Sequence, residues 1–254
     1  MMSSFRIAWI AVRELIHEKV FYLLVCFAVL SVAMSLLLGQ MTYAEQAKLT
    51  LDFMLGGIEL SMLLFAVFMG ISLFQRELTS GSISMILSKP ISRAAFIFGK
   101  FLGQQIVQTT VILLMGVLTL AISARFGSLI SPRAVIQTLL LIAMETAVLT
   151  AVTYFFAVNA GAISTAVATG CVFILGHVRD SVSRNMREST DFTVWGGLKA
   201  LTPDFEVFNM KSLASYGQAI PWTEFGWAAV YAVCCATFFL VLSMVCFQTK
   251  DIAT

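Results

Sequence analysis

The chain has 254 residues, of which 59% are hydrophobic and only 12% are charged, and its formal net charge is +2. Soluble domains carry about 25% charged residues, so this composition excludes an ordinary soluble domain and indicates a membrane protein. The Lys and Arg residues are not interleaved with aromatic residues that could stack on bases, which argues against nucleic-acid binding.

The first segment, residues 1–19, has an amphipathic pattern. Apolar residues recur at helical spacing from Phe5 to Ile16, and basic residues lie between them. This pattern predicts a helix that lies in the membrane interface. Because Glu14 and Glu18 precede a long apolar run, the segment does not resemble a cleavable signal peptide.

Six apolar stretches follow, and they predict an all-α, polytopic transmembrane domain over residues 20–254. A spanning helix needs about 20 mainly apolar residues. The stretches that meet this requirement are residues 20–38, 53–74, 101–124, 135–158, 160–178 and 225–247. The fourth and fifth together are long enough to cross the bilayer about twice, so we expect a tight turn at Asn159 and Gly161 between them.

An even number of spans places both termini on the same side of the membrane. Lys and Arg are usually more frequent in short cytoplasmic connections. The short segments on the side of the termini carry more of these residues than those on the opposite side, which predicts cytoplasmic termini in the inner (cytoplasmic) membrane. The longest connection, residues 179–222, is then external, and its aromatic residues Trp195, Tyr216 and Trp222 are expected to rest on lipid headgroups.

Two acidic residues lie inside predicted spans, Glu59 in the second and Glu145 near the middle of the fourth. An ionised group at the bilayer centre costs about 2.5–3.5 kcal/mol on insertion scales, so such residues usually face protein or a water-filled cavity. One interpretation places them on a substrate path or proton relay. The other makes them protonated or hydrogen-bonded glutamates that hold helices together, with Gln104, Gln105 or Gln108 as partners.

The sequence contains no motif that predicts a catalytic residue, a metal site or a cofactor on this chain. The five cysteines lie in apolar runs, which argues against both a disulfide framework and a zinc site. His17 and His177 are far apart in the sequence, and His177 lies at the end of a span. A G-x-x-x-x-G-K-[ST] sequence, which would form a P-loop for nucleotide phosphates, is also absent from the chain.

The connection between the second and third spans, residues 75–100, combines basic residues with a small apolar face. Ile83, Ile86 and Leu87 share one side of a short helix that must end before Pro90. One interpretation is an interfacial helix that lies on lipid. The other is an apolar knob that docks into another protein.

Here the sequence resembles a known family. The run R-E-L-T-S-G-S-I-S-M-I-L-S-K-P-I-S-R-x5-G-K, from Arg76 to Lys100, resembles the cytoplasmic signature of ABC-2 type transporter permeases. The V-F-Y-L-L run at residues 20–24 and the run L-T-P-D-F-E-V-F-N at residues 201–209 are similar to the subfamily named for multicopper-enzyme maturation. The resemblance covers nearly the whole chain and is more specific for the fold than for the substrate.

The resemblance implies a permease subunit of an ATP-binding cassette exporter. Two such subunits, identical or different, would form the translocation path in the lipid membrane, and two copies of a separate ATPase subunit would bind ATP and Mg²⁺. Residues 75–100 would contain the coupling helix, and the Asn159–Gly161 turn would make a second, minor contact. The implied docking residues are Arg76, Glu77, Gly81, Ile83, Ile86, Leu87 and Arg93.

The residues alone do not exclude two other functions. One is a membrane scaffold or assembly factor that binds a partner but transports nothing, and the other is a secondary transporter driven through Glu145. An associated P-loop ATPase would favour the permease, and transport without ATP would favour the secondary transporter. The scarcity of charge favours a lipid-like or amphipathic substrate, whereas no residue identifies the substrate itself or the direction of transport.

Overall fold

The computed structural model describes residues 2–40, 46–79, 93–124, 131–185 and 202–249, and most of these residues are helical. The helices are α1 (Met2–His17), α2 (Lys19–Gln40), α3 (Gln46–Thr79), α4 (Arg93–Ser123), α5 (Pro132–Asn159), α6 (Ala162–Asn185), α7 (Lys211–Ser215) and α8 (Trp222–Thr249). Within this described part, six helices (α2–α6 and α8) are long and apolar enough to cross a membrane. The predicted all-α fold with six spans is confirmed.

Helix α3 begins at Gln46, whereas hydropathy placed the start of the second span at Phe53. Hydropathy detects only the apolar part of a helix, and the additional turns of α3 carry polar residues that have their own contacts. The ammonium group of Lys48, for example, lies 3.7 Å from the centroid of the Tyr216 ring. Such a cation–π contact packs a charged residue of these turns against the protein, beside Leu51, which is buried in the core.

Helix α5 is the centre of the bundle and contacts α3, α4, α6, α7 and α8. Of its apolar span, 72% is buried, against 17% for α6, so α6 lies at the periphery. Several threonines lie on the buried surface of α5, and their hydroxyl groups donate hydrogen bonds to carbonyl oxygens of the preceding turn, as Thr138 does to Ala134 at 3.0 Å. Their polarity is therefore satisfied inside the helix.

Helix α1 packs mainly against α4, and the approach is unusually close. A Cβ atom at Gly103 of α4 would lie 2.7 Å from both the Cβ atom of Ala11 and the carbonyl oxygen of Ala8, so only glycine fits there. Trp9 and Ile10, on the other side of α1, are exposed. The helix therefore has two apolar sides, one that contacts α4 and one that is free for the predicted membrane interface.

Only Ala160 and Gly161 separate α5 from α6, at the place where the sequence predicts a tight turn. The side-chain amide of Asn159 donates a hydrogen bond of 2.8 Å to the carbonyl oxygen of Phe155, and this contact closes the last turn of α5. The short connection makes α5 and α6 neighbours that run in opposite directions.

Residues 202–221 fold back against the helix bundle. Phe205 and Phe208 are buried in a cluster with residues of α3, α5 and α8. At Gly176 of α6, a Cβ atom would lie 2.4 Å from the Phe205 ring and 2.6 Å from the carbonyl oxygen of Pro203. Glycine at this position therefore lets the segment lie directly on α6.

The position of this segment bears on the predicted external loop, residues 179–222. Helix α6 continues to Asn185, beyond the end of the apolar stretch. Tyr216 and Trp222 are exposed, as residues in contact with headgroups would be, whereas Trp195 lies outside the described residues. The described part of the connection thus combines an exposed aromatic edge with a buried segment.

Candidate functional site

Four helices bring ionisable side chains to one place inside the bundle. Glu59 comes from α3, Glu145 from α5, His177 from α6 and Lys211 from the first position of α7. The two glutamates that the sequence singled out are thus neighbours, and both are buried, with 7% and 3% of their surface exposed. We refer to Glu59, Glu145 and His177 as the Glu–His cluster.

The Nε2 atom of His177 lies between the two carboxylates. It is 3.7 Å from Oε1 of Glu59 and 3.5 Å from Oε1 of Glu145. One atom from each residue of the cluster lies within 4.8 Å of the other two. These separations are longer than ordinary N–H···O hydrogen bonds, which span 2.7–3.2 Å. The cluster therefore brings three polar atoms close together without joining them directly.

Helix α7 contributes the cation beside the cluster. The ammonium group of Lys211 donates a hydrogen bond to Oε2 of Glu59, and the hydroxyl group of Ser215 donates one to Oδ1 of Asp52. Asp52 and Glu59 are about two turns apart on α3, and Lys211 and Ser215 are about one turn apart on α7, so each pair shares a helix face. Two polar contacts thus fix α7 along α3.

Aromatic rings hold the imidazole of His177 in place. The ring of Phe205 stacks on it, with 5.9 Å between centroids and 13° between planes, and Phe173 lies 4.4 Å from it. Two residues further along α6, a guanidinium nitrogen of Arg179 lies 3.8 Å from a carboxylate oxygen of Asp204. The segment that covers α6 is therefore attached by charge as well as by packing, and it restricts the orientation of His177.

The chemistry available at the cluster follows from its charges. Two buried carboxylates repel each other, and Lys211 donates a hydrogen bond to only one of them, Glu59. Ionisable residues inside membrane proteins usually pair with each other or face a path for ions or substrates. The arrangement can therefore hold a cation, receive a proton or bind a positively charged group of a substrate.

The glutamines proposed as partners of the glutamates bond elsewhere. The hydroxyl group of Tyr154 donates a hydrogen bond of 2.9 Å to Gln104, and Gln108 donates one of 3.2 Å to Thr150. Both contacts join α4 to α5. Among the described residues, neither these two glutamines nor Gln105, whose amide nitrogen is buried without a partner, bonds to either glutamate. The suggested glutamine–glutamate pairs are therefore not found.

Sequence reasoning missed two members of the site, His177 and Lys211. His177 was set aside because it is far in sequence from the other histidine. A usable signal was present, because ionisable residues in or next to spans tend to pair, and Glu59, Glu145 and His177 form such a set. For Lys211 there was no local signal, since nothing in its neighbourhood in the sequence predicts that the segment folds back into the bundle.

The predicted docking residues lie at or beyond the edge of what the structure describes. Arg76 and Glu77 belong to the last turns of α3, and Arg93 is the first residue of α4. The remaining ones lie outside the described residues: Gly81, Ile83, Ile86 and Leu87. The predicted coupling segment, residues 75–100, therefore includes the end of α3 and the first two turns of α4.

A buried lysine joins the helices that flank this segment. Lys100, near the start of α4, donates a hydrogen bond of 2.5 Å to the carbonyl oxygen of Leu73 near the end of α3. Its ammonium group also lies 3.9 Å from a carboxylate oxygen of Glu14 in α1. Three helices thus meet at one cation at the end of the predicted coupling segment, so a movement of one of these helices would be transmitted to the other two.

Comparison with known proteins identifies the chain at the level of a family. A family model described as "ABC-2 family transporter protein" matches residues 5–252. The match includes all six candidate spans, the predicted coupling segment and the segment that carries Phe205, and it is therefore not a local likeness. No individual curated protein matches the chain.

Proposed function

Because the chain belongs to the ABC-2 family of transporter membrane proteins, we propose that it pairs with a second permease subunit and exports a substrate with energy from two separate ATPase subunits. As a multi-pass membrane protein of this family, it is a transporter permease, and permeases of this family generally pair with ABC ATPases. The observation that carries the proposal is the family match over nearly the whole chain. We further infer that the chain forms a homodimer or heterodimer, that it exports its substrate and that both termini are cytoplasmic.

We also place the chain in the subfamily named for multicopper-enzyme maturation. The support comes from the V-F-Y-L-L run in α2 and from residues 201–209. The second run contains Phe205, which stacks on His177. The resemblance to the subfamily therefore includes a residue that borders the Glu–His cluster, and this favours a role of the cluster in the function that the subfamily shares.

Coupling to the ATPase is assigned to residues 75–100. In this proposal, the apolar face formed by Ile83, Ile86 and Leu87 fills a groove on the ATPase, and neighbouring charges fix its register. ATP-driven closure of the partner would then move the ends of α3 and α4. The contacts of Lys100 support this route, because they join those two ends to each other and to α1.

The substrate path is assigned to the interior surface that contains Glu145 and Glu59. The two carboxylates are buried between α3, α5 and α6, and with His177 they bring three polar atoms within 4.8 Å of one another. The family match favours ATP as the energy source over a proton gradient. A scaffold and a secondary transporter are the two alternative functions that the following experiment distinguishes from an ATP-driven permease.

Capture of the tagged chain from native membranes is expected to bring with it an ATPase subunit that has a P-loop. Reconstituted in lipid nanodiscs, the complex should hydrolyse ATP, and a substitution of the P-loop lysine in the ATPase should abolish turnover. Transport that continues with this inactive ATPase would identify a secondary transporter. Complexes without any ATPase would identify a scaffold.

Glu145→Gln is expected to lower ATP-driven transport by at least about tenfold, which corresponds to about 1.4 kcal/mol in the rate-limiting barrier. Glutamine keeps the shape of the side chain and removes its charge. Stability should change little, because Oε1 of Glu145 accepts no hydrogen bond from the described residues. The matched control is Glu224→Gln at the exposed start of α8. Unchanged transport would remove Glu145 from the path, and parallel loss of transport and stability would show a structural role.

A further inference from the structure

We propose that the Glu–His cluster binds one divalent transition-metal cation, with an oxygen of Glu59, an oxygen of Glu145 and Nε2 of His177 as its ligands. Each ligand belongs to a different helix, so the ion would join α3, α5 and α6 at one point. The inference goes beyond the transport function, because binding of the ion requires neither ATP nor a particular substrate.

Unsatisfied polar atoms at the cluster support the proposal. Glu145 is 3% exposed, and its Oε1 atom is buried without a hydrogen-bond partner in the described part of the chain. The same holds for Nε2 of His177. Buried polar atoms in proteins are nearly always hydrogen-bonded, so two unsatisfied polar atoms that face each other indicate a ligand between them.

The second ring nitrogen of His177 faces a backbone carbonyl oxygen, because Nδ1 lies 3.4 Å from the carbonyl oxygen of Phe173. In the tautomer that carries its hydrogen on Nδ1, Nε2 presents a lone pair to two carboxylate oxygens, which are acceptors too. Metal-binding histidines usually have this arrangement, in which the nitrogen that does not bind the metal donates to a backbone carbonyl or a carboxylate.

The distances favour a metal ion over a shared proton. Around a tetrahedral ion with bonds of 2.0–2.2 Å, neighbouring ligand atoms are about 3.3–3.6 Å apart. Nε2 of His177 lies 3.7 Å and 3.5 Å from the oxygens of Glu59 and Glu145, and all three ligand atoms lie within 4.8 Å of one another. A proton would draw one pair of atoms to about 3 Å and leave the third atom without a partner. A metal ion satisfies all three atoms at once.

The types of ligand restrict the class of ion. Mg²⁺ and Ca²⁺ prefer sites made of oxygen atoms, and Cu(I) prefers the sulfur of cysteine and methionine. One imidazole and two carboxylates suit Zn²⁺, Fe²⁺, Mn²⁺ or Co²⁺. Three protein ligands leave at least one coordination position for water or another group. Zn²⁺ and Co²⁺ are therefore the appropriate probes.

The neighbouring Lys211 permits a test in which a substitution should strengthen Zn²⁺ binding. Lys211 donates to Oε2 of Glu59, and its ammonium group repels a cation bound at Oε1. Lys211→Met should therefore tighten Zn²⁺ binding several-fold. A nonspecific loss of structure at the cluster would weaken binding instead, so the sign of the change separates the two effects.

The experiment uses the full-length chain in lipid nanodiscs, treated with a chelator and carrying a tag without histidine. Titration with Zn²⁺ is expected to show one site and to raise the melting temperature, and Co²⁺ should give the visible absorption of a low-coordinate site. His177→Gln should weaken Zn²⁺ binding by more than about 100-fold, since the loss of an outer-shell partner alone costs about 10–100-fold. The matched control, His17→Gln, removes the other of the two histidines, which is exposed, and should change nothing.

Each of three results would overturn the proposal: a wild-type chain that binds no Zn²⁺, Zn²⁺ binding that survives His177→Gln, or weaker binding by the folded Lys211→Met variant. If the His177→Gln variant does not fold, Glu145→Gln is used in its place to remove one metal ligand. The direction in which Lys211→Met changes the affinity for Zn²⁺ then still tests the proposal. These measurements need no ATPase subunit, so they are independent of whether the complex transports.

Discussion

Replacing Ile83 and Ile86 together with serine is expected to remove the ATPase subunit from the purified complex. Burial of an aliphatic side chain contributes about 1.5–3 kcal/mol, so the loss of two should cost roughly 3–5 kcal/mol. That corresponds to at least about a hundredfold weaker association. The measurement is co-purification of the ATPase with the tagged permease, together with ATP turnover in lipid nanodiscs.

Met85→Ser is the matched control for this pair, because helical periodicity places Met85 on the side of the predicted helix opposite to Ile83 and Ile86. It should leave the ATPase bound. Glu77→Ala should permit assembly but lower substrate-stimulated ATP hydrolysis if the charge sets the register. Full retention of the ATPase and of turnover in the double serine variant would contradict the coupling helix and favour a helix that only lies on lipid.

Lys211→Met and Glu59→Gln, each made alone in chelator-treated protein, are expected to destabilise the chain by about 3 kcal/mol. Breaking a buried ion pair typically costs about 3–5 kcal/mol, because one charge is left without a partner. The lower end applies here, since 23% of the Lys211 side chain is exposed. Lys19→Met, at an exposed position in α2, is the control and should have little effect. The measurement is denaturation of the detergent-solubilised chain.

The double variant decides whether the two residues interact. With both charges removed, no unpaired group remains, so its stability should return close to that of the wild type. If the double variant is instead as unstable as the sum of the single variants, Lys211 and Glu59 do not form a pair in the folded chain. The polar contact that attaches α7 to α3 would then be the one between Ser215 and Asp52.

The six spans could be predicted because the transfer of each side chain from water to lipid is a local property, which adds up along a stretch of about 20 residues. The ends of the helices could not be predicted in the same way. The start of α3 at Gln46 depends on polar contacts such as that of Lys48 with Tyr216, and these join residues that are distant in the sequence.

In the candidate site too, some residues could be recognised from the local sequence and others could not. Glu59 and Glu145 were recognisable because an acidic residue in an apolar run is visible locally. Their neighbours were not, because Lys211 is separated from Glu59 by 152 positions and reaches it only when residues 202–221 fold back. Gly176 makes that approach possible, but the sequence alone does not show which segment packs against a glycine in a helix.

The position of α1 has a consequence for biogenesis. The ribosome synthesises α1 before α4, which is its main packing partner, so the surface formed by Ala8 and Ala11 must wait until Gly103 has been inserted. During that interval, the side with Trp9 and Ile10 can hold the nascent helix on the membrane surface. The second apolar side thus keeps α1 next to the site of insertion until α4 arrives, and the N-terminal helix becomes part of the bundle late in synthesis.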